Sequence, residues 1–171
     1  GTAVPGVNSF RWQDPIAVGA NVNADALYVG IGDDVWVRTA GGFGGALTQT
    51  DPSATRNNAI ADVVIDPGDD QTAFAFDDGG AVFWTSNAGT NWTNITGNLG
   101  MATSAALRSI AYSTSNADGA VIVGTDNGVF IARGDGSSED DAAGDPIPFT
   151  DWAALGVGLP PVPVYDLEYD A

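Results

Sequence analysis

TSNAGTNW, residues 85–92, sets a hydroxyl, an amide two places on, a glycine two places after that and a closing Trp between two apolar runs. Upstream, AVFWTS (81–86) reads as a strand; downstream, NWTNIT (91–96) reads as a short one. Small polar residues and a glycine between two strand-like runs mark a hairpin connection. Whether this stretch is one turn among many or one copy of a repeated device decides the fold.

Outward from it the same texture continues. ALYVGI (26–31), DVWVRT (34–39), IADVVID (60–66), TAFAFD (72–77), RSIAYS (108–113), AVIVGT (120–125) and GVFIAR (128–133) are short apolar or alternating runs bounded by Asp, Asn and Gly. That is the pattern of strands, and no long segment keeps the i, i+3, i+4, i+7 spacing of a helix. Three segments share one order of runs and turns. Ile16, Val63 and Ile110 open them at intervals of 47 residues, and Trp36, Phe83 and Phe130 repeat the interval of 47. These aromatics are expected to be buried at equivalent places. YDLEYDA (165–171) mirrors ADVVIDP (61–67), displaced by ten positions because GDGSSEDDAAGD (134–145) lengthens the third unit. A period in the forties with four strands per unit is that of a β-propeller blade. The fold class read from the sequence is therefore all-β: about three four-stranded blades plus the first strand of a fourth. The units run approximately 12–58, 59–105 and 106–162, with the next beginning at 163–171. The first residue is Gly1 rather than Met, and the last run reads as an innermost strand. The expectation is a piece of a longer polypeptide, or a ring completed by another chain.

The 171 residues hold 22 acidic and 5 basic side chains, a formal charge of −17, with no histidine and no cysteine. Such a field repels nucleic acid and anionic membrane surfaces. No run approaches the ~20 apolar residues of a membrane span. Missing His and Cys remove the usual general base, thiol nucleophile and zinc ligands. Asp, Gly, Asn and Thr richness leans towards a secreted or cell-surface bacterial or archaeal protein.

The opening stretch resembles the Asp-box, or bacterial-neuraminidase repeat, whose usual form is Ser/Thr-x-Asp-x-Gly-x-Thr/Ser-Trp. Thr85, Asn87, Gly89 and Trp92 fit that frame, with Asn87 in place of Asp and Asn91 in place of the hydroxyl residue. The resemblance covers most of residues 12–171. In the first unit RTAGGFGGALTQT (38–50) keeps glycines but lacks Trp; in the third the acidic insert is expected to overwrite the box, and FTDWAALGVGLP (149–160) is expected to parallel WTNITGNLG (92–100). In that family the box is structural and lies away from catalytic centres, so the resemblance implies a propeller and no particular activity. A sialidase-like member would need an arginine cluster, a tyrosine nucleophile and an acid. Arg38, Arg108 and Arg133 do not resolve into such a cluster on sequence.

Two acidic stretches are candidate Ca²⁺ sites, since Ca²⁺ prefers clustered oxygen ligands. Asp66, Asp69 and Asp70 form the first; Glu139, Asp140, Asp141 and Asp145 form the second. Neither has EF-hand spacing. Asp62 and Asp166 hold the same phase on innermost strands, the arrangement a glycosidase carboxylate pair would need; solvated acids beside turns are the simpler expectation. Arg133-Gly134-Asp135 is a chance-level adhesion tripeptide, and Asn91 and Asn94 head sequons. The function expected from sequence is a non-catalytic extracellular structural or binding module in a larger secreted or surface assembly. Its partners would be other protein chains or its own continuation, and carbohydrate is a further candidate. The alternative is a fragment of a propeller glycoside hydrolase.

Overall fold

The computed structural model describes residues 15–18, 23–53, 55, 57–115, 119–134, 148–156 and 158–168. The loop candidates Glu139, Asp140, Asp141 and Asp145 lie outside the described residues, as does the rest of 135–147.

Among the described residues there are twelve strands. The first sheet joins β1 (Ile16–Val18), β2 (Leu27–Ile31), β3 (Asp34–Arg38) and β4 (Thr48–Thr50) in chain order. The second joins β5 (Ile60–Asp66), β6 (Asp69–Asp77), β7 (Val82–Thr85) and β8 (Thr93–Asn94), again in order. The third joins β9 (Leu107–Ser113), β10 (Ala120–Thr125), β11 (Gly128–Arg133) and β12 (Trp152–Ala154). Every pairing is antiparallel. Among the described residues only a 3-10 turn (Gly42–Gly44) and one helical turn, α1 (Leu99–Ala102), interrupt the β structure. Three consecutive four-stranded meanders, packed face to face, are propeller blades.

The 47-residue interval is a ladder row. In the first blade Ile16 pairs Val29, Val29 pairs Trp36, and Trp36 pairs Gln49. In the second the row is Val63, Ala75, Phe83, Asn94. In the third it is Ile110, Val123, Phe130, Ala154. Even the irregularity repeats: Asp62 pairs Phe76 and Ile60 pairs Asp77, skipping Ala61, while Ser109 pairs Gly124 and Leu107 pairs Thr125, skipping Arg108. A bulge at the same place on the innermost strands of the second and third blades sharpens their twist.

Two cores lie between the blades. One joins Tyr28, Val35 and Val37 of the first blade to Val63, Ile65, Ala73 and Ala75 of the second. The other joins Phe74, Phe76, Val82, Ile95 and Leu99 to Ile110, Tyr112, Val121, Val123, Phe130 and Trp152. The second sheet is thus apolar on both faces, as a stacked array requires of an inner repeat. Phe83 is 1% exposed and Phe130 6%. Trp36 departs from expectation, being only half-buried. Its row lies on the outer face of the first blade, where Ile16 is 56% exposed; the equivalent rows of the second and third blades face the blade before them.

The 163–168 segment is not a paired strand among the described residues. It nonetheless docks where an innermost strand starts. Val164 N donates to Thr125 O at 2.9 Å, much as Ile60 N of the second blade donates to Gly32 O of the first at 2.7 Å. Gly124 makes room for it: an added Cβ would lie 2.6 Å from the Val164 carbonyl oxygen and 2.5 Å from Ser109 Oγ.

Candidate functional site: the blade seams and their polar residues

The 85–92 turn closes on itself. Thr85, 1% exposed, accepts the Gly89 N–H at 3.0 Å and donates to Asn87 Oδ1 at 3.1 Å. Asn87 Oδ1 accepts the Asn91 N–H at 2.8 Å. A short side-chain amide thereby satisfies a backbone donor that no strand partner reaches. Gly89 has φ 74°, in the left-handed region. Trp92 then leaves the turn and donates its indole N–H to Thr50 Oγ1 of the first blade at 3.1 Å.

The third blade keeps the Trp of this device but has Ala132 where the second has Thr85, and residues 135–147, between Ala132 and Trp152, lie outside the described residues. Ala132 pairs Trp152 on β12, which puts Trp152 two positions before Ala154, as Trp92 is two before Asn94. Trp152 is 2% exposed and donates its indole N–H to Ile95 O of the second blade at 2.9 Å. Ile95 and Thr50 are themselves register equivalents, each one residue past the row. In the first blade the same position holds Leu47, 5% exposed. Phe149-Thr-Asp-Trp152 and Gly89-Thr-Asn-Trp92 align, and the shared Thr-Asn/Asp-Trp was the available signal. Asn98, which no sequence pattern marks, pins this strand. Its Oδ1 accepts the Trp152 N–H at 2.6 Å and its Nδ2 donates to Asp151 Oδ1 at 3.0 Å.

Asp62 stands on β5, half-buried. One carboxylate oxygen accepts the N–H of Val63 at 2.9 Å and the other that of Ile110, on the next blade's innermost strand, at 3.0 Å. Burial raises its pKa; the two backbone hydrogen bonds oppose this, and the negative charge of Asp166 adds to it. Ser109 takes the equivalent place in the third blade, and its hydroxyl is buried with no hydrogen-bond partner among the described residues. Arg108, one residue earlier, forms an exposed ion pair with Asp126 at 2.7 Å and lies 5.8 Å from the centre of the Tyr165 ring.

Asp66, Asp69 and Asp70 surround the β5–β6 hairpin. Asp66 Oδ1 accepts Gly68 N–H at 2.7 Å, and the Asp66 charge acts on the Tyr112 hydroxyl of the third blade. Asp69 accepts Gln71 N–H at 3.1 Å and the Thr72 hydroxyl at 2.8 Å. Asp70 accepts the Asn23 side-chain amide at 2.5 Å, and its carbonyl oxygen accepts the Tyr28 hydroxyl at 2.7 Å. The hairpin is thus braced on the first blade through Asp70. Burial and these neighbouring carboxylates raise both tyrosines, Tyr112 to about 12. Among the described residues no three acidic, His or Cys side chains gather into a metal-sized group, and no helix is long and apolar enough to cross a membrane.

No protein-family description matches the chain, and no curated protein matches it. Thirteen chains of solved structures match. One of them, the crystal structure of an ancestral GH74 enzyme, is 20% identical over 68% of this chain, with a TM-score of 0.47. This chain spans 16% of that structure's length.

Proposed function

We propose that the chain is a non-catalytic structural or binding module, acting outside the cell as part of a larger secreted or surface protein or assembly. The observation that carries this is the Asp62 carboxylate. The acid best placed for chemistry on an innermost strand spends both oxygens on backbone N–H groups and ties two blades together. A general acid or nucleophile must keep an oxygen for substrate. In this reading the 85–92 turn is a variant Asp-box serving the blade seam. Ca²⁺ at Asp66, Asp69 and Asp70 remains part of the proposal, as does Ca²⁺ at the 139–145 acids. Isothermal calorimetry with Ca²⁺ up to millimolar concentration tests both; absence of heat ends the metal component.

A second reading, a fragment of a propeller glycosidase, draws on the raised pKa of Asp62 and the negative charge of Asp166 beside it. A panel of aryl glycosides and soluble β-glucans separates the two. The module reading expects no turnover beyond that of the Asp62→Asn variant. Turnover abolished by that substitution in a folded protein would establish the glycosidase.

A further inference from the structure

The two sequons, Asn91-Trp92-Thr93 and Asn94-Ile95-Thr96, occupy different settings in the fold. Asn91 stands in the 85–92 turn, its N–H held by Asn87 Oδ1. It borders an open groove of about 880 Å³ at the rim between the first and second blades, together with Trp92, Val37, Thr48, Gln49 and Asp51. In the neighbouring seam the rim is filled: Phe149 packs edge-on against Trp84 with ring centroids 6.0 Å apart and against Phe74 at 5.1 Å. Asn94 lies beyond Trp92, at the end of β8, the outermost strand of the second sheet. Its side chain is exposed. Its Oδ1 accepts the Thr96 N–H at 2.9 Å, which closes an Asx turn over the triplet. Its Nδ2 has no hydrogen-bond partner among the described residues. The rest of the triplet is anchored inward. Ile95 is 0% exposed, its N–H donates to Val82 O at 2.8 Å, and its carbonyl oxygen accepts the Trp152 indole N–H. Thr96 Oγ1 accepts the Val82 N–H at 3.0 Å.

We propose that Asn94 is an acceptor for an N-linked oligosaccharide. The inference rests on the placement of the chain outside the cell, because a sequon is used on exported chains. The nitrogen that would carry the sugar is the one the fold leaves unpaired. The carbonyl oxygen survives in the linkage, and with it the bond to the Thr96 N–H, so the modified side chain gives up no contact of the blade. A bulky, solvated group also suits this place. β8 pairs with β7 and, among the described residues, with no strand on its other side. A free strand edge invites edge-to-edge association, and a glycan standing there blocks it. In the transfer, Asn94 Nδ2 attacks C1 of a sugar carried on a polyprenyl diphosphate. The N–C1 bond forms as the C1–O bond to phosphate breaks, the lipid diphosphate leaves with the bonding electrons, and the nitrogen gives up one proton to solvent. Burial of Ile95 sets the order of events: an oligosaccharyltransferase acts on the triplet before β8 pairs, and the folded blade then displays the product.

The test produces the whole chain twice, once kept in the cytoplasm and once exported through a eukaryotic secretory pathway, and compares intact masses. The exported chain should carry an oligosaccharide that peptide N-glycosidase removes. That release converts the modified Asn to Asp, and peptide mapping after release in ¹⁸O water should place the labelled Asp at position 94. Asn94→Gln should abolish labelling at this position, and Asn91→Gln should leave it. The glycosylated chain should melt no lower than the unmodified one. Should the Asn94→Gln variant fail to fold, the position of the label in the unaltered chain decides the matter. An exported, folded chain without added mass overturns the proposal, as does a label at Asn91 with none at Asn94, or a chain glycosylated at Asn94 that no longer folds. Glycoside turnover, measured separately, would overturn the module reading without altering these masses, and an unmodified chain would leave the module reading standing.

Discussion

The seam between the second and third blades and the seam between the first and second are two solutions to one packing problem. In the former, Phe74 stacks on Tyr112 with centroids 4.8 Å apart, Phe149 and Trp152 fill the rim, and Leu99 is 2% exposed. In the latter, Gly30 allows the backbones to close in, since a Cβ there would lie 2.7 Å from Ile60. Its polar ties run from Asn23 to Asp70, from Tyr28 to the Asp70 carbonyl and from Trp92 to Thr50. The register dictates which positions meet; the side chains placed there decide whether the meeting is tight. A repeat can therefore keep its architecture while leaving one seam open.

The sharpest way to break this comparison is to truncate the two indoles in parallel. Trp152→Ala should cost about 3–5 kcal/mol in chemical denaturation, the range for a buried aromatic whose site cannot collapse. Trp92→Ala, next to an open groove, should cost clearly less. Equal losses would mean that the rim difference has no energetic content.

Asp62→Ala tests the tie between innermost strands. It leaves the Ile110 N–H without its partner, and an expected loss of about 1–3 kcal/mol follows. Denaturant midpoints for the alanine and asparagine variants check this, with the asparagine milder because its carbonyl oxygen still accepts one bond.

A smaller effect is expected at high pH. The Tyr112 pKa is raised to about 12 in the folded chain against an ordinary value of 10.0. A group that holds its proton more tightly when folded contributes stability below its unfolded pKa, and this contribution fades as pH rises through the folded value. Melting temperature should fall between pH ~10 and ~12, and Tyr112→Phe should flatten part of that slope. The smallest effect is expected at Arg108 and Asp126. This pair lies at the surface, so Arg108→Ala should leave the midpoint unresolved from that of the parent protein.

Most of the blade architecture was legible because it rests on backbone pattern. Row positions 16, 63 and 110 and row positions 36, 83 and 130 are spaced alike since each blade needs the same strand lengths and hairpins. Burial was less legible. Trp36 shares the register of Phe83 and Phe130 but lies on the outer face of the first blade, and exposure depends on what covers a face rather than on the strand itself. The parallel drawn on sequence sets Phe149 rather than Trp152 against Trp92 because the long insert shifts the spacing from the row, although the Thr-Asp-Trp tripeptide survives. Asn98 could not be found at all: one amide in a loop acquires its role only when the third blade folds against it. Asp62 was seen as a phase-matched acid, but the direction of its carboxylate, onto Ile110, is a property of the packed seam.

The central claim is that two register-equivalent seams differ in closure. Hydrogen exchange of the indole N–H protons, followed by NMR at neutral pH, tests it directly. The Trp152 proton, bonded to the Ile95 carbonyl in a closed rim, should exchange about tenfold or more slowly than the Trp92 proton beside the groove. Equal rates, or slower exchange at Trp92, would contradict the account.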